Sequence, residues 1–397
     1  MANLATMAPT AGGTAQSQSG QAQAQASAAM RPFIRAAINH RESCGYDVST
    51  QLSGSVQNLP DILVPAYGYL RAIRLVVTTT GGAASAAPAF TENGPFNALQ
   101  NIILQEPNGA QIHNFPDGWW LAMANKYGGY TAYGDPRANG VFSVAATTSP
   151  GFSFMLRIPV ELNIRDALGS LPNQNSAAQF RVKLNLNNLA SIFTGGTFTT
   201  NPTVRIRAYI EAWDQPEAAT NGQPNQTTPP AMNTTQFWSV QQFPVNAGTQ
   251  NVKLTRVGNY IRNLIMVYQN GAGARAAIDA QYPDPATLYY DTRPVDIVDR
   301  QEFLGQITER YGYVAAIGTT IASPGTAVPA DSAGGRDNGV WPWDFCHEFD
   351  GTVGHENRDQ WLPTLSSTRL EIGGVWGSAG TLSVMTNDVV TVGNVFL

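Results

Sequence analysis

Along most of this chain apolar and polar residues alternate with a period of two. The strongest run is Gly68-Tyr69-Leu70-Arg71-Ala72-Ile73-Arg74-Leu75-Val76-Val77, which stops before Gly81-Gly82. Leu99 to Gln105 is a second strand, closed by the turn Glu106-Pro107-Asn108-Gly109. Val48 to Leu59 alternates loosely, and Phe152 to Val160, Gln179 to Leu186 and Val204 to Trp213 follow. A second series contains Phe237-Trp238-Ser239-Val240, Tyr260 to Val267 and Thr381 to Val390. Many short strands with turn signals between them predict a sandwich or a barrel.

Two stretches switch to the helical period. In Gly118-Trp119-Trp120-Leu121-Ala122-Met123-Ala124-Asn125-Lys126-Tyr127, the residues Trp119, Trp120, Met123 and Tyr127 line one apolar face. Asp117 stands where an N-cap accepts first-turn amides, Lys126 near the negative C-terminal end, and Gly128 where a left-handed cap is expected. A weaker copy, Glu302 to Gly312, places Phe303, Leu304, Ile307 and Tyr311 in register with those four landmarks. Tyr127 then maps to Tyr311, an offset of 184 residues, and Tyr69 maps to Tyr260, an offset of 191. Phe180-Arg181-Val182-Lys183-Leu184 likewise matches Thr368-Arg369-Leu370-Glu371-Ile372, each before a last strand. Each match is weak alone. In one order at similar offsets they predict a duplicated sandwich, each copy with a helix after its fourth or fifth strand.

The ends and the middle differ in character. Residues 1–29 are Ala, Gln, Ser, Thr and Gly, with too little bulky apolar surface to fold alone. Residues 30–41 carry Met30, Phe33, Ile34 and Ile38 at helical spacing among Arg31, Arg35 and Arg41. Such a basic amphipathic segment suits an anionic membrane or a partner, or packing on its own domain. Residues 214–235 are rich in Pro, Asn, Gln and Thr and read as a linker. The expected organisation is an arm at 1–45, a first sandwich at 46–213, the linker at 214–235 and a second sandwich at 236–397.

Composition narrows the function. The 397 residues exceed one ordinary core, and charged residues are only 13%, with 38 Gly and 25 Pro. A net charge of -5 gives no general basic footprint for nucleic acid. Cys44 and Cys346 make no scaffold: they stay free or form one bridge. No basic-then-apolar leader and no membrane-length apolar run occurs in the sequence, which predicts a soluble product made without a signal.

Candidate chemistry is sparse. Asp344-Phe345-Cys346-His347-Glu348-Phe349-Asp350 with His355-Glu356 gathers metal-ligand types, but its spacing matches no zinc signature. His113 has no nucleophile or orienting carboxylate near it in sequence, and Asp166, Glu211 and Asp299 occur singly. Nucleophile-elbow, phosphate-loop and dinucleotide signatures are missing from the sequence. The expectation is a non-enzymatic protein without cofactor. Trp341 and Trp343 are candidate sugar-stacking platforms, which keeps a tandem carbohydrate-binding or host-adhesion protein as the alternative. Asn225 and Asn233 are glycosylation sequons, meaningful only in a glycosylating host.

The order of these elements resembles the tectivirus-type double jelly-roll major capsid proteins of icosahedral viruses with an internal membrane. The likeness runs from Thr91-Glu92-Asn93-Gly94-Pro95-Phe96-Asn97-Ala98-Leu99 through the turn at Glu106 to Gly118-Trp119. In the second half it includes Asp291-Thr292-Arg293 and the final Arg369-Leu370 strand pair. The sequence departs from the pattern in the linker and in the Gly/Ala/Pro-rich loop from Ala315 to Gly339. The resemblance implies an all-β chain of two tandem eight-stranded jelly rolls. It implies a homotrimer of nearly hexagonal outline that meets neighbouring trimers, with vertex or minor capsid proteins as further partners. The shell, a bacteriophage-type virion assembled in the host cytoplasm, encloses a lipid vesicle and no sequence-specific nucleic acid contact is implied. In that setting Arg31, Phe33, Ile34, Arg35, Ile38 and Arg41 become candidate contacts to the membrane on the inner face.

Overall fold

The computed structural model describes residues 29–128, 136–143, 150–163, 165–230, 234–275, 281–311, 336–345, 360–367 and 369–390. Its first eight principal strands are β1 (Asn39–Gln51), β2 (in two pieces, Gln57–Asn58 and Ile62–Leu63), β3 (Tyr69–Thr80), β4 (Leu99–Gln105), β5 (Gln111–Asp117), β6 (Gly151–Pro159), β7 (Arg181–Leu186) and β8 (Thr203–Trp213). They form two sheets, ordered β1-β8-β3-β6 and β2-β7-β4-β5. The second eight are β9 (Thr235–Val245), β10 (Gly248–Leu254), β11 (Tyr260–Asn270), β12 (Ala286–Tyr290), β13 (Arg293–Val298), β14 (Val340–Asp344), β15 (Leu370–Trp376) and β16 (Gly380–Val390). Their sheets run β9-β16-β11-β14 and β10-β15-β12-β13. Each strand number rises by eight and the order is otherwise unchanged. The chain is one sandwich built twice.

Local chemistry explains the elements. β3 alternates Ile73, Leu75 and Val77, all buried, with Arg74, Val76 and Thr78 on the other face. A shift of one residue would send that whole apolar set to the wrong side, so the register is firmly specified. The β4–β5 hairpin closes through a bond from the Gly109 amide to the Glu106 carbonyl, and Gly109 takes φ +90°, which residues with a Cβ rarely adopt. In each copy a helix follows the fifth strand: α1 (Gly118–Tyr127) and α2 (Arg300–Tyr311). Asp117 caps α1, accepting from the amides of Trp119 (2.9 Å) and Trp120 (3.2 Å), and Asp299 caps α2, accepting from Glu302. Gly128 departs from expectation: its φ is -84°, so α1 ends without a left-handed residue, on an amide bond to Ala124.

The two copies are joined more tightly than a linker requires. β5 and β9 pair in parallel, Trp238 opposite His113 and Ser239 opposite Asn114, so one sheet runs through both sandwiches. The first core accordingly takes in Trp238, Ile265, Val267, Val340 and Met385 from the second half. Residues 214–230 are no free tether either. Arg31 pairs with Asn225, the Phe33 amide donates to Gln226, and the Ile38 and Asp214 backbones bond. The arm is correspondingly shorter than expected. β1 begins at Asn39, within the segment assigned to it, because Asn39 to Ser43 find partners along β8.

Candidate functional site

Where α1 meets the second sandwich, the chain builds a buried polar seam. Every residue of α1 is buried. On its outer side the Asn263 amide donates to the Tyr127 carbonyl at 3.3 Å, and the Tyr311 hydroxyl donates to the same oxygen at 3.2 Å. The two landmark tyrosines, matched by register from sequence, therefore touch, with ring centroids 5.3 Å apart and planes at 89°. Beside them Asp337, wholly buried, accepts from Lys126 at 2.6 Å, Arg137 at 2.5 Å and the Tyr127 hydroxyl at 3.0 Å. Burial disfavours its charge, but Arg137 and Lys126 outweigh burial and hold the carboxyl well below the usual range. The Arg275 guanidinium, whose charge also acts on Asp337, lies 4.9 Å from the Trp119 ring, and its backbone amide donates to Glu92 at 2.8 Å. Lys126 reads in sequence as a complement to the helix dipole. Its partner 211 residues away carries no sequence signal.

The helix landmarks Trp119, Trp120, Met123, Tyr127, Phe303, Leu304 and Ile307 are buried, and Tyr311 is half-buried at the seam. The candidate sugar platforms are also inside: Trp341 packs on Tyr282 and Phe303, and Trp343 packs on Phe303 and donates to Asp296. All eight tryptophans of the chain are buried, which removes the observation behind the carbohydrate-binding alternative. Asn225 is 6% exposed, its amide bonded to Glu217 and Thr220, so that sequon is inaccessible in the fold; Asn233 lies outside the described residues.

Where they are described, the residues singled out for chemistry bond to neighbours within the fold. His113 is buried against the Pro159 carbonyl, and burial lowers its pKa to about 4. Asp344 accepts from Tyr311 at 2.6 Å, while Cys346, His347, Glu348, Asp350, His355 and Glu356 lie outside the described residues. Among the described residues no group of three or more His, Cys, Asp or Glu side chains is placed to hold a metal. Cys44 has a free thiol, pushed up to about 12 by burial and Glu42. Asp166 accepts from the Leu168 amide in a turn, and Glu211 binds Arg41, Arg74 and Arg157 across the β1-β8-β3-β6 sheet.

The basic segment is divided between anchor and surface. Its helix is a single turn, Phe33–Ala36, because Phe33 turns inward onto Tyr69 and Trp213 and is 1% exposed. Ile34 packs partly against the same cluster, and Arg41, in β1, pairs with Glu211 at 2.8 Å. Arg35 and Ile38 point to solvent beside the exposed Met30, and Arg31 is half-buried. Among the described residues no helix is long and apolar enough to cross a membrane.

With two sandwiches of identical strand order joined through one sheet, known structures supply the name of the architecture. The STIV MCP aligns with 89% of this chain and 97% of its own, with a TM-score of 0.58 at 12% identity. The major capsid protein P2 of bacteriophage PM2 gives a TM-score of 0.50 at 11% identity, covering 90% of this chain and 99% of its own. The Faustovirus major capsid protein gives 0.52 at 10% identity over 93% and 92%. The fold is the double jelly roll. No family model and no curated protein matches the sequence. The likeness is therefore one of architecture, over about nine tenths of the chain.

Proposed function

We propose that this chain is the major structural subunit of an icosahedral virus shell, acting without catalysis. The observation that carries this reading is the duplicated jelly roll fused through one sheet, in an architecture shared with three capsid proteins over nearly the whole chain. Three such chains offer six similar sandwiches, so a homotrimer of nearly hexagonal outline can meet six neighbours through related contacts. The low charge content suits many weak contacts reinforced by multivalency. Vertex or minor capsid proteins would fill the positions where six-fold packing fails.

At the arm, Phe33 is the anchor, and Arg31, Arg35, Ile38 and Met30 are the groups offered to an anionic lipid layer beneath the shell. Light scattering after size exclusion, with electron microscopy of concentrated protein, tests the main reading. Trimers that form shells or hexagonal sheets support it, and a monomer retained on a glycan column overturns it. For the arm, Arg35→Glu with Ile38→Glu should abolish flotation with anionic vesicles while the trimer persists. Unchanged flotation overturns the membrane role.

A further inference from the structure

The duplication allows the same surface to be compared in its covered and uncovered states. Aligning Tyr69 with Tyr260 places Arg74 at the position of Ile265 and Val76 at that of Val267. Strand pairing extends the match across the sheet. Tyr209 and Arg157 flank Arg74 as Met385 and Pro342 flank Ile265, and Arg207 and Met155 flank Val76 as Ser383 and Val340 flank Val267. In the second jelly roll all six positions are buried, covered by α1 and the first core. In the first, every one is half-buried or exposed. The open face carries Arg41, Arg74, Arg157, Arg205 and Arg207 against Glu211 and Asp47, with apolar Met155 and Val141 at its rim.

The helices show the matching difference. α1 is wholly buried, whereas in α2 only Phe303, Leu304 and Ile307 are buried. Gln301, Glu302, Gly305, Thr308 and Glu309 are exposed, as is the cap Asp299. The element that covers the second jelly roll's sheet thus has a twin with an uncovered acidic side, and the covered sheet has a twin with an uncovered basic face.

We propose that these two surfaces meet between copies: α2 of one chain docks on the outer β1-β8-β3-β6 face of a second copy, its Asp299, Glu302 and Glu309 carboxylates opposite Arg74, Arg205 and Arg207. This repeats between chains the contact that α1 makes within the chain. It rests on the trimeric capsid reading and names the surfaces that close the trimer. The contact is heterologous, so it forms a ring when the rotation closes. Within the chain the sheet positions beneath the helix are uncharged and buried; between chains Arg74, Arg157 and Arg207 stand where Ile265, Pro342 and Ser383 stand within the chain, which favours an oriented contact that can form and dissolve during assembly.

The test is charge reversal on each side, followed by light scattering. Glu302→Arg with Glu309→Arg, and separately Arg205→Glu with Arg207→Glu, should each weaken the trimer at least tenfold; mixing the two variants or combining all four changes should restore it. Circular dichroism checks the fold. For a variant that misfolds, Glu309→Gln and Arg207→Gln are compared across a salt series, where the wild-type trimer should weaken with salt and the neutral variants should not respond. If wild type is a trimer and both reversals leave it intact, or if combination fails to restore it, the docking surface is refuted while the capsid reading stands. A wild-type protein that stays monomeric and forms no shells refutes both.

Discussion

Removing the Asp337 carboxylate should destabilise the whole chain more than any exposed charge would. At 2.6 Å and an effective dielectric of about 20, its attraction to Lys126 alone is about 6 kcal/mol. Desolvating the buried groups offsets much of that, and the intact cluster is no measure of net stability. The mutant is different, because Asp337→Ala leaves Lys126 and Arg137 charged and buried without their shared carboxylate, a cost of about 3–5 kcal/mol. Asp337→Asn should lose somewhat less, since the amide oxygen still accepts. Urea titration followed by tryptophan fluorescence reads the effect, because Trp119 and Trp120 lie in the same helix as Lys126. The folded pKa is depressed below 3.8, so this contribution is complete above the unfolded value and lost only as pH falls below it. The deficit of Asp337→Asn should therefore be equal at pH 5 and pH 8. A loss below about 1 kcal/mol, the level of a surface ion pair, would refute the seam as the joint between the jelly rolls.

Asp117 behaves in the opposite sense. Its half-buried carboxyl is pushed up to about 6 by desolvation, against the bonds from Trp120 and Trp119. The folded state then binds a proton that the unfolded chain releases near 3.8, and stability falls as pH rises from there to about 6. Asp117→Asn keeps the cap and should flatten that slope in urea titrations between pH 4 and pH 7, while Asp117→Ala should cost about 1 kcal/mol; an unchanged slope in the Asn variant refutes the assignment. Gly68→Ala places a Cβ 1.9 Å from the Trp213 carbonyl at φ +43°, and should lower stability by about 1–3 kcal/mol or prevent folding; a melting temperature within a degree of wild type contradicts this. Phe33→Ala should release the arm anchor, a packing loss of about 3–5 kcal/mol, and speed tryptic cleavage after Arg35 without altering the sandwich melt. Unchanged cleavage would show that the anchor lies elsewhere.

Period-two alternation located β3, β4, β6, β7, β8, β11 and β16 to within about three residues, and period 3.6 with Asp117 located α1, since those signals are local. β10, β12 and β13 escaped notice: they are short, with Gly373-Gly374 opposite β10 in β15 and Pro294 in β13, and their outer faces alternate poorly. The Tyr127 to Tyr311 register proved to be physical contact, something sequence matching alone does not imply. The Asp337 cluster was illegible because its members come from α1, the Pro136–Asn139 turn and a segment two hundred residues away. The arm's alternatives stayed open in the sequence for a related reason. Phe33 supplies a helical apolar face whether that face meets lipid or Tyr69, and only the position of Trp213 decides between them.

Duplication by itself would make every sandwich contact alike, and the sequence has removed that equality. Ile265, Pro342 and Ser383 are buried in one copy of the contact, while their counterparts Arg74, Arg157 and Arg207 leave the other copy open and charged. A fully apolar repeat would expose a sticky sheet face on each newly made chain, with aggregation as the consequence. Arg74 and Arg157 face each other across β3 and β6, an arrangement that repels unless an anion lies between them, and Glu211 supplies one within the chain. That single buried carboxylate serves Arg41, Arg74 and Arg157 at once and leaves a positive remainder on the face. Under the proposed docking, that positive surplus is what the acidic helix of a second copy would meet.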